Sequence, residues 1–247
     1  MQRARRERLD RLLTERGLTP NLSRAQRLIM AGRVLVDERR VDKGGTLVPV
    51  DAKISIRKGR EEYVSRGGEK LAGALNHFGI DVKGLTALDV GASTGGFTDC
   101  LLKRGAAKVY AVDVGYGQLA LSLRQDTRVV PLERRNARYL KLKDLGERVD
   151  IITIDVSFIS LTKVIPNLLN LTKEAFQILA LIKPQFEVGK GQTKKGVVKD
   201  PKRHAEVIRS ISAFCQNLGL EVVGVFPSPL LGPKGNKEFF IYLRSQP

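Results

Sequence analysis

From residue 86 onward, short apolar runs alternate with segments in which apolar residues recur every three or four positions. The runs predict strands near 86–90, 108–113, 128–131, 149–155, 176–183, 221–226 and 237–243. Helical spacing falls near 97–104, 117–124, 160–170 and 202–218, with a further helix over 68–78. Such alternation calls for an α/β fold with a mostly parallel sheet and helices on both faces. The last run follows a Pro/Gly-rich segment, 227–235, and a tight return there makes it an antiparallel edge strand. The front of the chain is patterned differently. Leu9, Leu12 and Leu13 lie at helical spacing, and Ser23 reads as the N-cap of a second helix with Ala25, Leu28 and Ile29 inward. Gly32 ends that helix, Val34 to Val36 makes a short strand, and further strands are expected near 47–57. The expected division is a small α+β module over 1–59, a linker over 60–66 and the α/β domain over 67–247.

Charge sharpens this division. The chain of 247 residues carries a net charge of +17, and residues 1–60 hold 16 Lys/Arg against 7 Asp/Glu. Such an excess favours polyanions, with nucleic acid first and an anionic membrane second. No apolar run approaches the ~20 residues that span a bilayer. The first ten residues lack the apolar stretch of a secretion signal, so a cytoplasmic protein is expected. Cys100 and Cys215 form no C-x-x-C and only two His are present, so no metal site is expected and both cysteines read as buried apolar residues.

The stretch Thr86 to Phe97, T-A-L-D-V-G-A-S-T-G-G-F, is a strand, a glycine-rich turn and a helix start. Its spacing matches neither the dinucleotide fingerprint nor the triphosphate loop. D-x-G-x-x-x-G-G resembles the S-adenosyl-L-methionine loop of Rossmann-like methyltransferases, which implies cofactor contacts at Asp89, Gly91, Ala92, Ser93, Thr94, Gly95, Gly96 and Phe97. Asp113 closes the second strand, where an acid can accept both ribose hydroxyls of a bound nucleoside, with Val114 beside it. Asn136 and Ala137, after the third strand, stand where such folds touch the adenine.

The fourth strand ends at Asp155, the fifth at Lys183, and Glu238 lies in the last. Lys70 sits in the first turn of the helix over 68–78, where the helix dipole disfavours a cation. Together these four resemble the Lys-Asp-Lys-Glu tetrad of RNA ribose 2′-O-methyltransferases, and Asp155 also borders the cofactor loop. Residues 7–58 resemble the RNA-binding domain first described in ribosomal small-subunit protein four, through Arg8-Leu9-Asp10, Leu12, Ser23-Arg24, Ala25, Ile29, Gly32, Val34, Val36-Asp37 and Val41. Arg8, Arg24, Arg27 and Arg33 there, Arg66 beyond it, and Lys190, Lys194 and Lys195 in the Gly/Lys-rich stretch 187–200 are the expected RNA contacts. The whole chain is similar to the TlyA family, historically labelled hemolysin A. That resemblance implies a seven-stranded Rossmann-like methyltransferase sheet, S-adenosyl-L-methionine, and ribose methylation of a cytidine in the RNA of one or both ribosomal subunits.

A ribose hydroxyl is a poor nucleophile, and a lysine serves as its base only where burial or a second cation favours the neutral amine. Lys183 is therefore expected to take or steer the hydroxyl proton, Lys70 to assist it, and Asp155 and Glu238 to orient the lysines. Three rivals remain at this stage. A cytolysin would need an insertable apolar face, a ribosome assembly factor would lack activity, and a pseudouridine synthase would have no use for residues 86–97.

Overall fold

The computed structural model describes residues 5–30, 32–56, 63–189, 193 and 196–246. The chain divides into two compact units, Met1–Glu61 and Glu62–Pro247.

The first unit runs β1 (Arg6–Arg8), α1 (Leu9–Glu15), α2 (Leu22–Met30), β2 (Val34–Val36), β3 (Arg39–Arg40), β4 (Leu47–Pro49) and β5 (Ile54–Ile56). β1 pairs with β4, and β2 lies between β3 and β5. Leu9, Leu13, Ala25, Ile29 and Val34 are fully buried in one core, which is why the two helices present these residues at helical spacing. The cap of α2 is Asn21 rather than Ser23: its Oδ1 accepts from the Arg24 N–H at 2.9 Å, and Ser23 already lies inside the helix. Asp10 is fully buried at the start of α1, where it accepts from Arg8 at 2.7 Å, Gln26 at 3.0 Å and the Arg11 N–H at 3.0 Å. The Arg8 hydrogen bond holds this carboxyl down at about 2, against an ordinary value of 3.8. Its stabilising contribution is present at neutral pH and is lost as pH falls through the range between those values. Arg8 thereby braces Asp10 while its side chain stays about half exposed.

The second unit runs α3 (Arg66–Phe78), β6 (Thr86–Val90), α4 (Gly96–Lys103), β7 (Lys108–Asp113), α5 (Leu121–Arg124), β8 (Val129–Glu133), α6 (Leu142–Leu145), β9 (Val149–Ile154), α7 (Ile165–Leu168), β10 (Thr172–Ile182), α8 (Pro184–Glu187), α9 (Pro201–Asn217), β11 (Leu220–Pro227) and β12 (Phe239–Ser245). Its seven strands are ordered β11-β12-β10-β9-β6-β7-β8. β10, β9, β6, β7 and β8 are parallel, and β12 runs antiparallel to both its neighbours. The α/β expectation is met, but the antiparallel strand is inserted between β10 and β11, not placed at the edge. Apolar side chains pack on both faces: Leu88, Ile152 and Ile178 in one cluster, Ala87, Ile151 and Leu179 in the other.

Local differences from the sequence reading have local causes. Residues 63–66 belong to this unit instead of a linker: Tyr63 is buried and the Val64 N–H donates to Asp99 at 2.7 Å. Residues 60–62 lie outside the described residues. Ser65 caps α3, which starts at Arg66, so Lys70 stands in the second turn and the expected conflict with the helix dipole is relieved. The helix expected over 117–124 shrinks to α5. That expected over 160–170 breaks into α7 and two flanking 3₁₀ turns, because Pro166 has no N–H to continue a helix through it. β12 begins at Phe239, so Glu238 lies just before the strand. Cys100 and Cys215 are both free and buried, and burial pushes their thiols up to about 11 and about 12.

Candidate active site

The first and second neighbours of β6 are β7 and β9, so the chain reverses its winding there, and ligands in such sheets bind beyond the strand C-termini at that point. A cavity of about 490 Å³ lies at this edge. Its volume falls within the ~300–1,000 Å³ of small-molecule sites. Gly91, Ser93, Asp113, Val114, Asn136, Ala137 and Asp155, all expected from the sequence, form part of its wall. Gly91 has φ +85°, and a Cβ there would collide with the Asp155 carbonyl, so glycine is required for β6 and the exit of β9 to close on each other. Asp113 accepts the Ser93 N–H at 2.8 Å through one oxygen and the Gly115 N–H at 2.7 Å through the other. A carboxylate has about four lone-pair sites, so both oxygens retain capacity for a ligand's hydroxyls.

The other loop residues do different work. Phe97 is a core side chain, 6.0 Å from Phe240 between ring centres. Gly96 faces α3, where a Cβ would meet the Ser65 hydroxyl and lie 2.9 Å from the Gly68 nitrogen. This close approach couples the loop to the helix that carries Lys70. Ala92 is buried, Thr94 is exposed with its carbonyl accepting from the Ala120 N–H, and Gly95 turns the chain at φ +94°. None of these, nor Asp89, is on the cavity wall.

Asp89 is fully buried behind the loop, where Thr98 donates to one oxygen at 2.7 Å and Thr153 to the other at 3.1 Å. Burial, with a smaller push from the Asp155 charge, raises its carboxyl to about 7. In the unfolded chain the group ionises near 3.8, so between those values the folded state holds the extra proton and stability falls as pH rises. Asp89→Asn removes this slope. In urea titrations at pH 5 and pH 8 the wild type should lose more stability than the variant, by about 3 kcal/mol given about 1.4 kcal/mol per pKa unit. Equal losses in the two proteins would contradict the assignment.

Two lysine–carboxylate pairs stand at this edge of the sheet: Asp155 of the first lines the cavity, and Glu238 of the second lines a separate cavity of about 400 Å³. Lys183 directly follows β10; its Nζ donates to Ser157 Oγ at 3.0 Å and lies 2.6 Å from Asp155 Oδ1 as an ion pair, an oxygen with no well-aligned hydrogen bond among the described residues. Lys70, on α3, donates to Glu238 Oε2 at 2.5 Å. Ile182 pairs with Phe239, so Lys183 and Glu238 are each one step beyond the same cross-strand pair, at the same edge of the sheet. Lys70 and Lys183 are each 8% exposed and Glu238 is 2% exposed, which rules out the solvated positions such residues normally take. Gly232 permits this burial, because a Cβ there would strike the Glu238 carboxylate. Glu238 Oε1 has no hydrogen-bond partner among the described residues. Ser157 was missed in the sequence, although it follows Asp155 by two residues in a polar strand exit. Gln118, Arg135 and Phe158, the last 89% exposed, were missed on the cavity wall for want of any spacing signal.

Of the expected RNA contacts, Arg27 is exposed on α2, while Arg24 and Arg33 are half-buried. Arg66 donates to the Leu231 carbonyl at 3.1 Å. Lys190, Lys194 and Lys195 lie outside the described residues. Among the described residues no group of His, Cys, Asp or Glu could hold a metal ion, and no helix is long and apolar enough to cross a membrane.

Comparison with known proteins agrees with this architecture. Residues 63–245 match the FtsJ-like methyltransferase family, and residues 7–54 match the S4 domain. The chain is 50% identical to "16S/23S rRNA (cytidine-2'-O)-methyltransferase TlyA" of Mycobacterium tuberculosis, over 98% of this chain and 91% of that protein. It is 39% identical to "Hemolysin A" of Brachyspira hyodysenteriae, over 95% of this chain and 98% of that protein. A solved structure from Streptococcus thermophilus that carries a hemolysin label superposes with a TM-score of 0.78 at 40% identity, covering 99% of this chain and 90% of that one. The chain therefore belongs to the FtsJ-like methyltransferase family, in its TlyA branch with an S4 domain ahead of the methyltransferase unit.

Proposed function

We propose that the protein transfers the methyl group of S-adenosyl-L-methionine to the 2′-hydroxyl of a cytidine in ribosomal RNA, and that it does so in the cytoplasm on the RNA of one or both ribosomal subunits. The observation that carries this reading is the pairing of Lys183 with Asp155 and of Lys70 with Glu238 at one sheet edge, with Asp155 on the wall of a nucleoside-sized cavity. The relative from Mycobacterium tuberculosis supports the cytidine and both RNAs by its name. All four side chains being in place favours a transferase over an inactive assembly factor.

In this reading Asp113 accepts the ribose hydroxyls of the cofactor, and Asn136 and Ala137 border its adenine. Bound there, the cofactor supplies an electrophilic sulfonium methyl. The lysine ammonium has three donors. Lys183 directs one to Ser157 while Asp155 holds its charge as an ion pair, which leaves donor capacity for the oxygen of the substrate hydroxyl. A hydroxyl gripped in this way has a lone pair fixed for in-line attack; as the oxygen–carbon bond forms the sulfur keeps the electron pair of the broken bond and the hydroxyl proton passes to solvent, and such positioning supplies much of the rate in bimolecular transfers. Lys70, held by Glu238, adds a second cation near the same oxygen. Arg8, Arg24, Arg27, Arg33, Arg66, Lys190, Lys194 and Lys195 are proposed to hold the RNA.

Label from a tritiated-methyl donor should enter ribosomal RNA of unmethylated subunits in an alkali-resistant dinucleotide. Incorporation into alkali-labile positions alone would overturn the reading. Asp113→Ala should weaken cofactor binding by about thirtyfold, or about 2 kcal/mol, as expected when hydrogen bonds to a charged acceptor are removed. Calorimetric titration with the cofactor measures this, and an unchanged affinity would remove Asp113 from the site.

A further inference from the structure

His204, on the first turn of α9, is a buried polar side chain that the lysine–carboxylate pairs and the cofactor cavity do not use. Its Nε2 lies 2.9 Å from the Val198 carbonyl oxygen. That oxygen only accepts, so Nε2 carries the proton of this hydrogen bond. Many buried histidines are satisfied inside one core and do nothing more. This one stands at a junction. The Val198 N–H donates to Asn236 Oδ1 at 3.1 Å, so the buried Val198 is gripped through both of its backbone polar groups. Asn236 is buried too, and its amide nitrogen donates to the carbonyls of Gly196 at 3.0 Å and Pro233 at 3.1 Å. A buried polar network satisfied in this way is rigid.

What the network holds is the approach to Glu238. Asn236 stands two residues before it, and the His204 ring packs 5.5 Å from the ring centre of Phe239, the residue after it. His204 therefore reaches the chain on both sides of Glu238, and the two side chains line the same cavity of about 400 Å³. The Glu238 carboxylate itself holds Lys70 through Oε2, and its Oε1 has no hydrogen-bond partner among the described residues, so its place is set by the backbone that presents it. We infer that His204 is a positioning residue for methyl transfer: through Val198, Asn236 and Phe239 it clamps the backbone around Glu238, and thereby fixes where Lys70 is held. The inference rests on the proposed reaction and deepens it, because the clamp affects turnover only where the Lys70–Glu238 pair serves the transfer.

The test compares His204→Leu, His204→Gln and Ile211→Val in the full chain. Leucine fills the space but cannot donate to Val198, whereas the glutamine amide can. Ile211→Val loosens α9 in the core two turns further along and leaves the clamp alone. Single-turnover transfer to unmethylated ribosomal subunits at saturating cofactor gives the rate, calorimetry gives cofactor affinity, and hydrogen exchange at the Val198 N–H reads the clamp whether or not methyl is transferred. In His204→Leu the rate should fall about thirtyfold, as small misplacements at a distance from the chemistry do, with cofactor and RNA affinities within about threefold of wild type. Val198 exchange should quicken about tenfold or more. His204→Gln should recover both the rate and the protection, and Ile211→Val should keep the wild-type rate. Three results would overturn the inference: a wild-type rate or unchanged Val198 exchange in His204→Leu, an equal loss of rate in Ile211→Val, or a glutamine variant that regains protection without regaining rate. A wild type that labels no ribose, with Val198 exchange responding as expected, would uphold the clamp and count against the proposed reaction instead.

Discussion

Replacing Lys183 with alanine is expected to reduce methyl transfer by about a thousandfold, or roughly 4 kcal/mol in the barrier, while cofactor and RNA affinities stay within about threefold. The reason is the geometry of one ammonium. Its ion pair with Asp155 at 2.6 Å and its hydrogen bond to Ser157 at 3.0 Å hold it in place, and donor capacity remains for a hydroxyl that enters beside Asp155. Without it the hydroxyl can still enter but is no longer oriented, so the loss falls on turnover and not on binding. Lys183→Arg should not restore activity, because a planar fork cannot occupy the place of a compact ammonium. Single-turnover transfer with saturating cofactor and RNA measures the effect. A variant that binds both ligands and transfers methyl at the wild-type rate would remove Lys183 from the mechanism.

The second large effect concerns stability. Glu238→Ala is expected to destabilise the methyltransferase unit by about 3 kcal/mol, because removing one member of a buried ion pair strands the other. Glu238 has a fully buried side chain and Lys70 an 11% exposed one, so the ammonium has little water to turn to. Adding Lys70→Met to Glu238→Ala should recover much of the loss, since an apolar chain of similar length suits the site once the carboxylate is gone. Both variants should be inactive. Denaturant titrations of the two single variants and the double variant give the coupling, and strict additivity of the losses would show that the pair is not an energetic unit.

Much of this site is legible in the chain because the fold converts sequence position into place. A residue just past the end of a parallel strand lands at one edge of the sheet, so following each apolar run to its end is enough to find Asp113, Asp155 and Lys183. Glu238 is reached only by resemblance. A carboxylate at such a position is ordinarily solvated, and this one is not because Gly232, six positions away, clears the space that buries it. The loop 86–97 is legible as a cofactor loop but not residue by residue. Spacing shows that glycines are needed, and only packing shows that Gly91 yields to the Asp155 carbonyl while Gly96 yields to α3. Phe97 and Asp89 turn inward for the same reason: each fills space behind the loop, in contact with Phe240 and with Thr98 and Thr153. Helix ends are the least legible part. Asn21 and Ser65 cap their helices through side-chain geometry, and Ser23, a residue type equally suited to capping, is simply two positions too late.

The central claim is that the acceptor is a ribose oxygen of cytidine. Ribosomal subunits lacking their native methylation are incubated with the protein and a donor whose methyl group is deuterated, and the RNA is digested to nucleosides for fragmentation in a mass spectrometer. The account predicts a labelled cytidine whose extra mass stays with the sugar fragment and is absent from the base fragment. Label that travels with the base would contradict it, and would mean that the two lysine–carboxylate pairs hold something other than a ribose hydroxyl.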